Sequence, residues 1–343
     1  MTSFLRSDRS RAVAVWLFAV AVLVTAMVVV GGATRLTGSG LSITEWKPVR
    51  GVIPPLTLAD WQAEFVRYQA IPQYKLLNRG MSLAEFQAIY WWEWSHRLLG
   101  RLLGAVFFIP FIWFAVRRAI SRRMAWRLGA IFVLGGLQGF VGWWMVSSGL
   151  ADRLYVAPER LMTHLGLAFA LLGALVWTAL DAWNGQARQT LPSPWGTRAL
   201  WLLGLIYFQV LLGALVAGNH AGLVYNDFPL FNGRAWPAEY AAGGLWATLA
   251  HSQGAVQAHH RLIAYLVFVV TLGLVAMAWR SQKLADGAKR LALVLGGAVV
   301  LQVVLGIATL MLVVPLALGM IHQLMAAIVF SLAVAFAWRV RRV

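Results

Sequence analysis

Residues 93–116, EWSHRLLGRLLGAVFFIPFIWFAV, open with a charged cluster and continue as an apolar stretch long enough to cross a bilayer as a helix. The whole chain has this character, because 60% of its 343 residues are hydrophobic and its mean hydropathy is +0.71. Such a composition predicts an all-α integral membrane protein rather than a soluble domain. The apolar stretches of spanning length are 12–32, 94–116, 125–146, 161–181, 199–219, 256–279, 290–313 and 316–338.

The net charge of +17 is distributed as membrane insertion requires. With the N-terminus in the cytoplasm, that side holds 17 of the 29 Lys and Arg residues but only 3 of the 12 acids. This asymmetry predicts that both termini are cytoplasmic and that the cations orient the chain in a membrane rather than bind nucleic acid. The chain has no cysteine, which excludes disulfides and iron–sulfur clusters.

The two halves of the chain resemble each other. The matches, in the same order in both halves, are Gly40-Leu41 with Gly222-Leu223, His96-Arg97 with His260-Arg261, Gln138 and Gly142 with Gln302 and Gly306, and His164 with His322. A parallel repeat of this kind predicts two pseudo-symmetric four-helix bundles, residues 1–183 and 184–343, related by an axis along the membrane normal.

The polar stretch between the first two spans is too long for a simple connection. Thr57 to Asp60 and Ser82 to Glu85 have the spacing of capping boxes and predict two amphipathic helices. The first would carry an aromatic face formed by Trp61, Phe65 and Tyr68. We interpret this face chiefly as an anchor at the membrane interface, with the cover of a site as the alternative.

Four histidines lie near the starts of spans that all run in the same direction, and they are His96, His164, His260 and His322. An ionisable group inside a membrane is costly unless it is paired or acts as a ligand, and a single buried histidine can be accounted for by a bond between helices. Two per half on equivalent spans favour ligands, all on the outer side of the bilayer.

The donor set narrows the kind of metal centre. Structural zinc requires four protein ligands and non-haem iron requires a carboxylate, whereas haem needs only one or two axial imidazoles. Two bis-histidine haem sites are therefore predicted. Gly100 and Gly104, which follow His96 by four and eight residues, would offer a smooth surface to a porphyrin, although small residues also serve helix packing.

Charged residues close to these histidines in the sequence are further candidates for haem binding or catalysis. Arg97, Arg101 and Arg261 could pair with haem propionates, the alternative being that they extend to lipid headgroups. Glu93 precedes His96 by three residues, and its counterpart in the second half is the neutral Gln257. A carboxylate in one half only suggests chemistry at one site and electron transfer at the other, the alternative being an interfacial glutamate exposed to water.

The remaining histidines, His220, His251 and His259, are interpreted as surface or interfacial residues. Because His259 adjoins His260, spacing alone leaves the ligand ambiguous between them. The match of His260-Arg261 to His96-Arg97 favours His260.

Several motifs together resemble the haem A synthase family over about residues 12–338, in particular its cysteine-free branch. They are Gly31-Gly32-Ala33-Thr34-Arg35-Leu36-Thr37, Gly40-Leu41-Ser42, Glu93-Trp94-Ser95-His96-Arg97, Arg160 to Gly166, Ala217-Gly218, Gly222 to Asn226 and Ile321-His322-Gln323. One departure is His259, where relatives often have Asn or Asp.

The resemblance implies oxidation of the C8 methyl of haem O to the formyl of haem A by successive hydroxylations, supplying haem A to terminal cytochrome oxidase. It also implies a haem b cofactor on His260 and His322, substrate haem on His96 and His164, and an essential role for Glu93. The partners expected on this basis are haem O, a haem O synthase, an electron donor and membrane lipid, and a homo-oligomer is compatible with the sequence.

Two other classes of protein fit the histidines. A dihaem cytochrome b that only carries electrons would need no carboxylate beside one haem, so Glu93 argues against it. A haem transporter would bind haem reversibly and leave the porphyrin unchanged, which distinguishes it from an enzyme by mass analysis of extracted haems.

Overall fold

The computed structural model describes residues 10–184 and 193–341, and regular structure within these ranges is helical. Eight helices are long and apolar enough to span a membrane, which confirms the predicted number. They are α1 (Arg11–Leu36), α4 (Leu83–Val116), α5 (Arg122–Leu150), α6 (Pro158–Asn184), α7 (Pro194–Gly218), α9 (Gln253–Arg280), α10 (Asp286–Met311) and α11 (Leu316–Val340). The shorter helices are α2 (Leu58–Gln69), α3 (Pro72–Leu76) and α8 (Gly244–Ala250).

Local sequence sets where these helices begin. Thr57 and Ser82 form the two predicted capping boxes, with Asp60 and Glu85 as the reciprocal partners. The second box opens α4 itself, a helix of 34 residues, because nothing between Ser82 and the apolar stretch interrupts the helical backbone. The predicted amphipathic helix and the second span are therefore one element.

The spans form two four-helix bundles of the same design, as predicted. In the first bundle α1 and α5 each pack against both α4 and α6, and in the second α7 and α10 each pack against both α9 and α11. Each pair of histidine-bearing helices, α4 with α6 and α9 with α11, is thus separated by the other two helices of its bundle. The bundles meet where α6 packs on α7 and α11, and where α1 packs on α11.

A buried carboxylate joins the bundles at the side that carries both ends of the described chain, which we call the terminal side. Asp181 of α6 accepts hydrogen bonds from Trp338 Nε1 at 2.9 Å, Arg341 Nη2 at 3.0 Å and Arg127 Nη1 at 2.7 Å. Trp338 and Arg341 belong to the end of the second bundle, and Arg127 lies in α5. Asp181 therefore connects α5, α6 and the end of α11.

Replacing Asp181 with alanine is expected to lower the stability of the protein by about 3–5 kcal/mol, because the indole and the two guanidinium groups lose a shared buried acceptor. The measurement is the midpoint of thermal unfolding in detergent. Asp286→Ala, which removes an exposed carboxylate at the start of α10, is the matched control. Equal midpoints for the two variants would show that the Asp181 cluster adds no stability.

The aromatic face of α2 does not lie on the membrane, so our main interpretation of it was wrong. Trp61 and Tyr68 are 9% and 0% exposed. Trp61 packs against Tyr90 with ring centroids 5.0 Å apart, and Phe65 packs against Phe86 at the same separation. The face covers the start of α4, on the side opposite the terminal side, which we call the long-loop side.

Some residues in the charge count lie outside the described residues, and they are Arg6, Asp8, Arg9, Arg188 and Arg342. The boundary predicted between the halves, at residues 183 and 184, falls at the end of α6, directly before the segment 185–192, which is also outside the described ranges.

Candidate functional site

Three of the spanning histidines lie about two turns into α6, α9 and α11, and His96 lies near the middle of the longer α4, all toward the long-loop side. Each ring packs against a glycine on a neighbouring helix of its own bundle. The contacts are His96 on Gly31, His164 on Gly142, His260 on Gly213 and His322 on Gly306. A Cβ at these glycines would lie 2.9–3.2 Å from a ring atom. Any larger residue would therefore displace a histidine.

The histidines are paired within each bundle. His96 and His164 lie near each other in the first bundle, and His260 and His322 lie near each other in the second. Among the described residues no third His, Cys, Asp or Glu joins either pair to complete a protein-only metal site. Nδ1 of both His164 and His322 is buried without a hydrogen-bond partner. Two imidazoles in an interior lined by glycine are suitable ligands for a metal whose other ligands come from a porphyrin.

Glu93 is buried, with 4% of its surface exposed, and all its contacts hold the outer loop to α4. Oε2 accepts hydrogen bonds from Ser42 Oγ and from the backbone N–H of Ile43, both at 2.8 Å. Oε1 accepts from Arg97 Nε at 3.0 Å and Nη2 at 2.5 Å. The alternative of a water-exposed interfacial glutamate is therefore wrong.

Gln257 has the equivalent place in the second bundle. Its Nε2 donates to the backbone oxygens of Ala221 at 2.7 Å and Tyr225 at 3.2 Å, and its Oε1 accepts from Arg261 Nη2 at 3.0 Å. Glu93 and Gln257 thus perform the same structural task, the attachment of the loop that follows the first span of each bundle. They differ in charge and in the direction of the bonds, because loop groups donate to Glu93 whereas loop carbonyls accept from Gln257.

The three candidate arginines also donate to loop backbone. Arg97 donates to Ile43 O at 2.7 Å and Glu45 O at 3.1 Å, and Arg101 donates to the backbone oxygens of residues 47 and 48, both at 2.9 Å. In the second bundle Arg261 donates to the backbone oxygen of residue 230 at 2.7 Å. Arg97 and Arg101 line a cavity of about 400 Å³ beneath the loop.

The wall of this cavity carries a network of opposite charges. Lys47 lies 2.5 Å from Glu45 and 3.3 Å from Glu64, and Arg67 lies within 3.2 Å of both carboxylates. The hydrogen bond from Lys47 lowers the pKa of Glu45, and the same bond raises the pKa of Lys47. Glu45 and Lys47 therefore stay charged at neutral pH, and the ion pairs of the network hold the loop in place.

The other histidines lie apart from the pairs. His259 Nε2 is 2.8 Å from the hydroxyl of Tyr240 in the outer loop, on a different side of α9 from His260. His220 is half-buried against Tyr155 with ring centroids 4.0 Å apart, and burial, with a smaller contribution from Arg35, lowers its pKa to about 4. His251 lies 3.9 Å from Glu159.

Sequence reasoning missed all four glycines as ring contacts, although Gly142 and Gly306 had been noted as members of the repeat, and it missed Gln209. This glutamine lies on α7, and its amide nitrogen is 3.0 Å from His260 Nδ1. The sequence did contain a signal for Gln209, because this residue has the one amide side chain in the apolar stretch of residues 199–218. A polar group at that depth calls for a partner.

Fold and site together define a class, a multi-pass membrane protein in which two related four-helix bundles each enclose a histidine pair. The model of the cytochrome oxidase assembly protein family, COX15-CtaA, matches residues 14–334. The chain belongs to this family. Relatives named "Heme A synthase" are 63% identical in Caulobacter sp. (strain K31) and 59% identical in Caulobacter vibrioides, each over 100% of both chains. A third, from Maricaulis maris, is 48% identical over 98% of both chains.

Proposed function

We propose that this chain synthesises haem A by oxidising the C8 methyl of haem O to a formyl group through successive hydroxylations and loss of water. The observation that carries the proposal is the histidine pair in each bundle, walled by glycine, with a carboxylate beside only one pair. Family membership and the name shared by its relatives support it. The product would supply terminal cytochrome oxidase.

The two bundles would have different tasks. His260 and His322, in residues 184–343, would hold a resident haem b, which supplies one-electron transfer when it is bound. His96 and His164, in residues 1–183, would engage the substrate haem O. The donor sets support both assignments, since imidazole pairs are suitable axial ligands of haem iron, and the charge of Glu93 distinguishes the substrate side.

Glu93 would act by electrostatics rather than by taking a proton. Its two oxygens already accept four hydrogen bonds, from Ser42, Ile43 and twice from Arg97, so no lone pair is left free in this arrangement. A fixed negative charge in a site of low dielectric can stabilise positive charge that develops on the oxidised methyl carbon. The same bonds hold the loop that closes the substrate side.

The arginines would bind haem propionates. Nη1 of Arg101 and Nε of Arg261 are buried without hydrogen-bond partners, so each side chain keeps a donor for a carboxylate. Arg97 and Arg101 line the cavity above the first bundle, and Arg261 has the equivalent place in the second. This would put the polar edge of each porphyrin toward the long-loop side and its apolar edge toward lipid.

The protein would lie in a cell inner membrane with both ends of the chain in the cytoplasm. A reporter fused after Arg123 or Lys283 is therefore expected to be active in the cytoplasm, and one inserted within residues 61–80 is expected to be active in the periplasm, because cations concentrate on the terminal side. Paired reporters with opposite compartment requirements measure this. The reverse pattern would place both histidine pairs on the cytoplasmic side.

The direct test is co-expression with a haem O synthase, followed by chromatography and mass analysis of extracted haems. Haem A is expected with the unaltered chain, and haem O alone with the chain omitted. If the protein carried only electrons or transported haem, the porphyrin would be recovered unchanged. Oxidation of the methyl to the formyl removes four electrons from that carbon and adds one oxygen atom, so the reaction would also require an oxidant from the cell.

A further inference from the structure

The two histidine pairs differ in what holds their rings. In the second bundle both rings have an amide partner. Nε2 of Gln209 lies 3.0 Å from Nδ1 and 3.3 Å from Nε2 of His260. Nε2 of Gln302 on α10 lies 3.4 Å from Nε2 of His322. The orientation of both rings is therefore restricted by polar side chains on neighbouring helices.

Neither ring of the first bundle is held in this way. Across residues 10–184 and 193–341, no hydrogen bond reaches the ring of His96 or the ring of His164, whereas of the ring nitrogens in the second pair only Nδ1 of His322 is left without a partner. Gln138, the counterpart of Gln302, donates instead to the backbone oxygen of His164 at 3.0 Å. The first pair is fixed by packing alone.

One part of this difference is encoded in the sequence. The spacing that aligns Gly40-Leu41 with Gly222-Leu223 also aligns Gly31 with Gly213. The structure supports this alignment, because a histidine ring packs against each of the two glycines. Four residues before these glycines, the same alignment makes Met27 of the first half the counterpart of Gln209 in the second half. The thioether of Met27 has no donor and is only a weak acceptor, so it cannot replace an amide beside imidazole.

Gln209 is itself well anchored. Its Nε2 also donates to the backbone oxygen of His260 at 3.0 Å, which keeps the Gln209 side chain next to this ring. Its Oε1 is buried without a partner. A ring that binds metal through one nitrogen leaves an N–H on the other, and a hydrogen bond from that N–H orients the ring and raises its basicity. The amide group that faces His260 in this structure is Nε2, a donor, so the carboxamide has to turn over for the unpaired Oε1 to accept a hydrogen bond from that N–H.

We propose that Gln209 is a positioning residue that retains the resident haem on His260, and that Met27 at the equivalent place leaves His96 free to release the haem bound in the first bundle. This inference rests on the proposed function, in which the second bundle keeps its haem and the first exchanges substrate for product. The ligand types are the same in the two bundles. The retention of haem is set by the partner of one histidine in each.

The test uses reciprocal variants of the full-length protein, Gln209→Met and Met27→Gln, with Met27→Leu as the matched control. Loss of haem to excess apomyoglobin and the midpoint reduction potential are measured. Gln209→Met is expected to lose haem b about 10-fold faster, which is the lower end of the effect of such partners on affinity. Its potential should rise, because a less basic imidazole stabilises ferric iron less.

Met27→Gln is expected to slow the loss of haem O from the first bundle by about the same factor, whereas Met27→Leu should match the unaltered protein. Loss rates and a potential that do not change in Gln209→Met would overturn the proposal. So would a less stable Gln209→Met protein whose potential is unchanged, since a purely structural role predicts that result. If Gln209→Met does not fold, failure of Met27→Gln to slow haem release overturns it.

Two further variants separate this inference from the proposed function. His260→Ala and His96→Ala show which bundle holds the haem that survives purification. Retained haem that depends on His96 and not on His260 would contradict the assignment of the resident cofactor. Retained haem that depends on His260 but is indifferent to Gln209 would contradict only the role of Gln209.

Discussion

Glu93→Gln is expected to abolish haem A formation while haem b remains bound at His260 and His322. The substitution removes the charge and keeps nearly the same shape. The glutamine oxygen can keep the bonds from Arg97, as Gln257 does with Arg261, but its amide nitrogen then faces the N–H of Ile43 and loses that bond. Retained haem b is therefore also the check that the variant folds. Loss of an electrostatic contribution in a site of low dielectric should lower the rate of conversion by about 10²–10³-fold.

The measurement is the ratio of haem O, its alcohol and haem A in extracts from cells that also express a haem O synthase. Accumulated haem O would place the defect at the first hydroxylation, and accumulated alcohol would place it at the second. Glu85→Gln is the control, since it alters an exposed capping carboxylate on the same helix. Abundant haem A from the Glu93 variant would eliminate this residue from the chemistry.

His260→Ala and His322→Ala are each expected to remove the resident haem b. Loss of one axial imidazole leaves five-coordinate iron in an interior built around two ligands. The low-spin bands of the reduced protein should disappear, and haem recovered per protein should fall to a small fraction of the unaltered value. Optical spectra and pyridine haemochrome assays measure both quantities.

His259→Ala is the matched control for these two variants. His259 adjoins His260 but contacts Tyr240 in the outer loop, so its removal should leave the low-spin spectrum intact. A normal spectrum in both His260→Ala and His322→Ala, or its loss in His259→Ala, would show that the ligands had been assigned to the wrong residues.

Much of the fold could be predicted because the thickness of a bilayer fixes the length and the apolar character of each spanning helix. A spanning helix needs about 20 apolar residues, and all eight spans appear near the predicted positions, from 12–32 to 316–338. The capping boxes at Thr57 and Ser82 were visible because they depend on residues three apart in the chain. The repeat predicted the matching bundles because equivalent residues remain identical at the histidines.

The side-chain contacts were harder to predict for a physical reason. Lipid tails and protein interiors are equally apolar, so hydropathy does not show which face of a span meets another helix. The contact of Gly31 with His96 was invisible for this reason. The aromatic face of α2 was misjudged because Trp61 and Tyr68 suit a membrane interface as well as a protein core. Arg97 faces loop carbonyls that no local pattern specifies.

The arrangement of α6 and α11 at the junction of the bundles bears on the origin of the fold. A unit of four spans returns its end to the side on which it began, so two identical copies can associate around a two-fold axis without inverting either. The present chain has the form of such an ancestral homodimer joined into one polypeptide. In a single chain each bundle can differ from the other, and the differences between Glu93 and Gln257 and between Met27 and Gln209 are ones that a symmetric dimer of identical copies could not have.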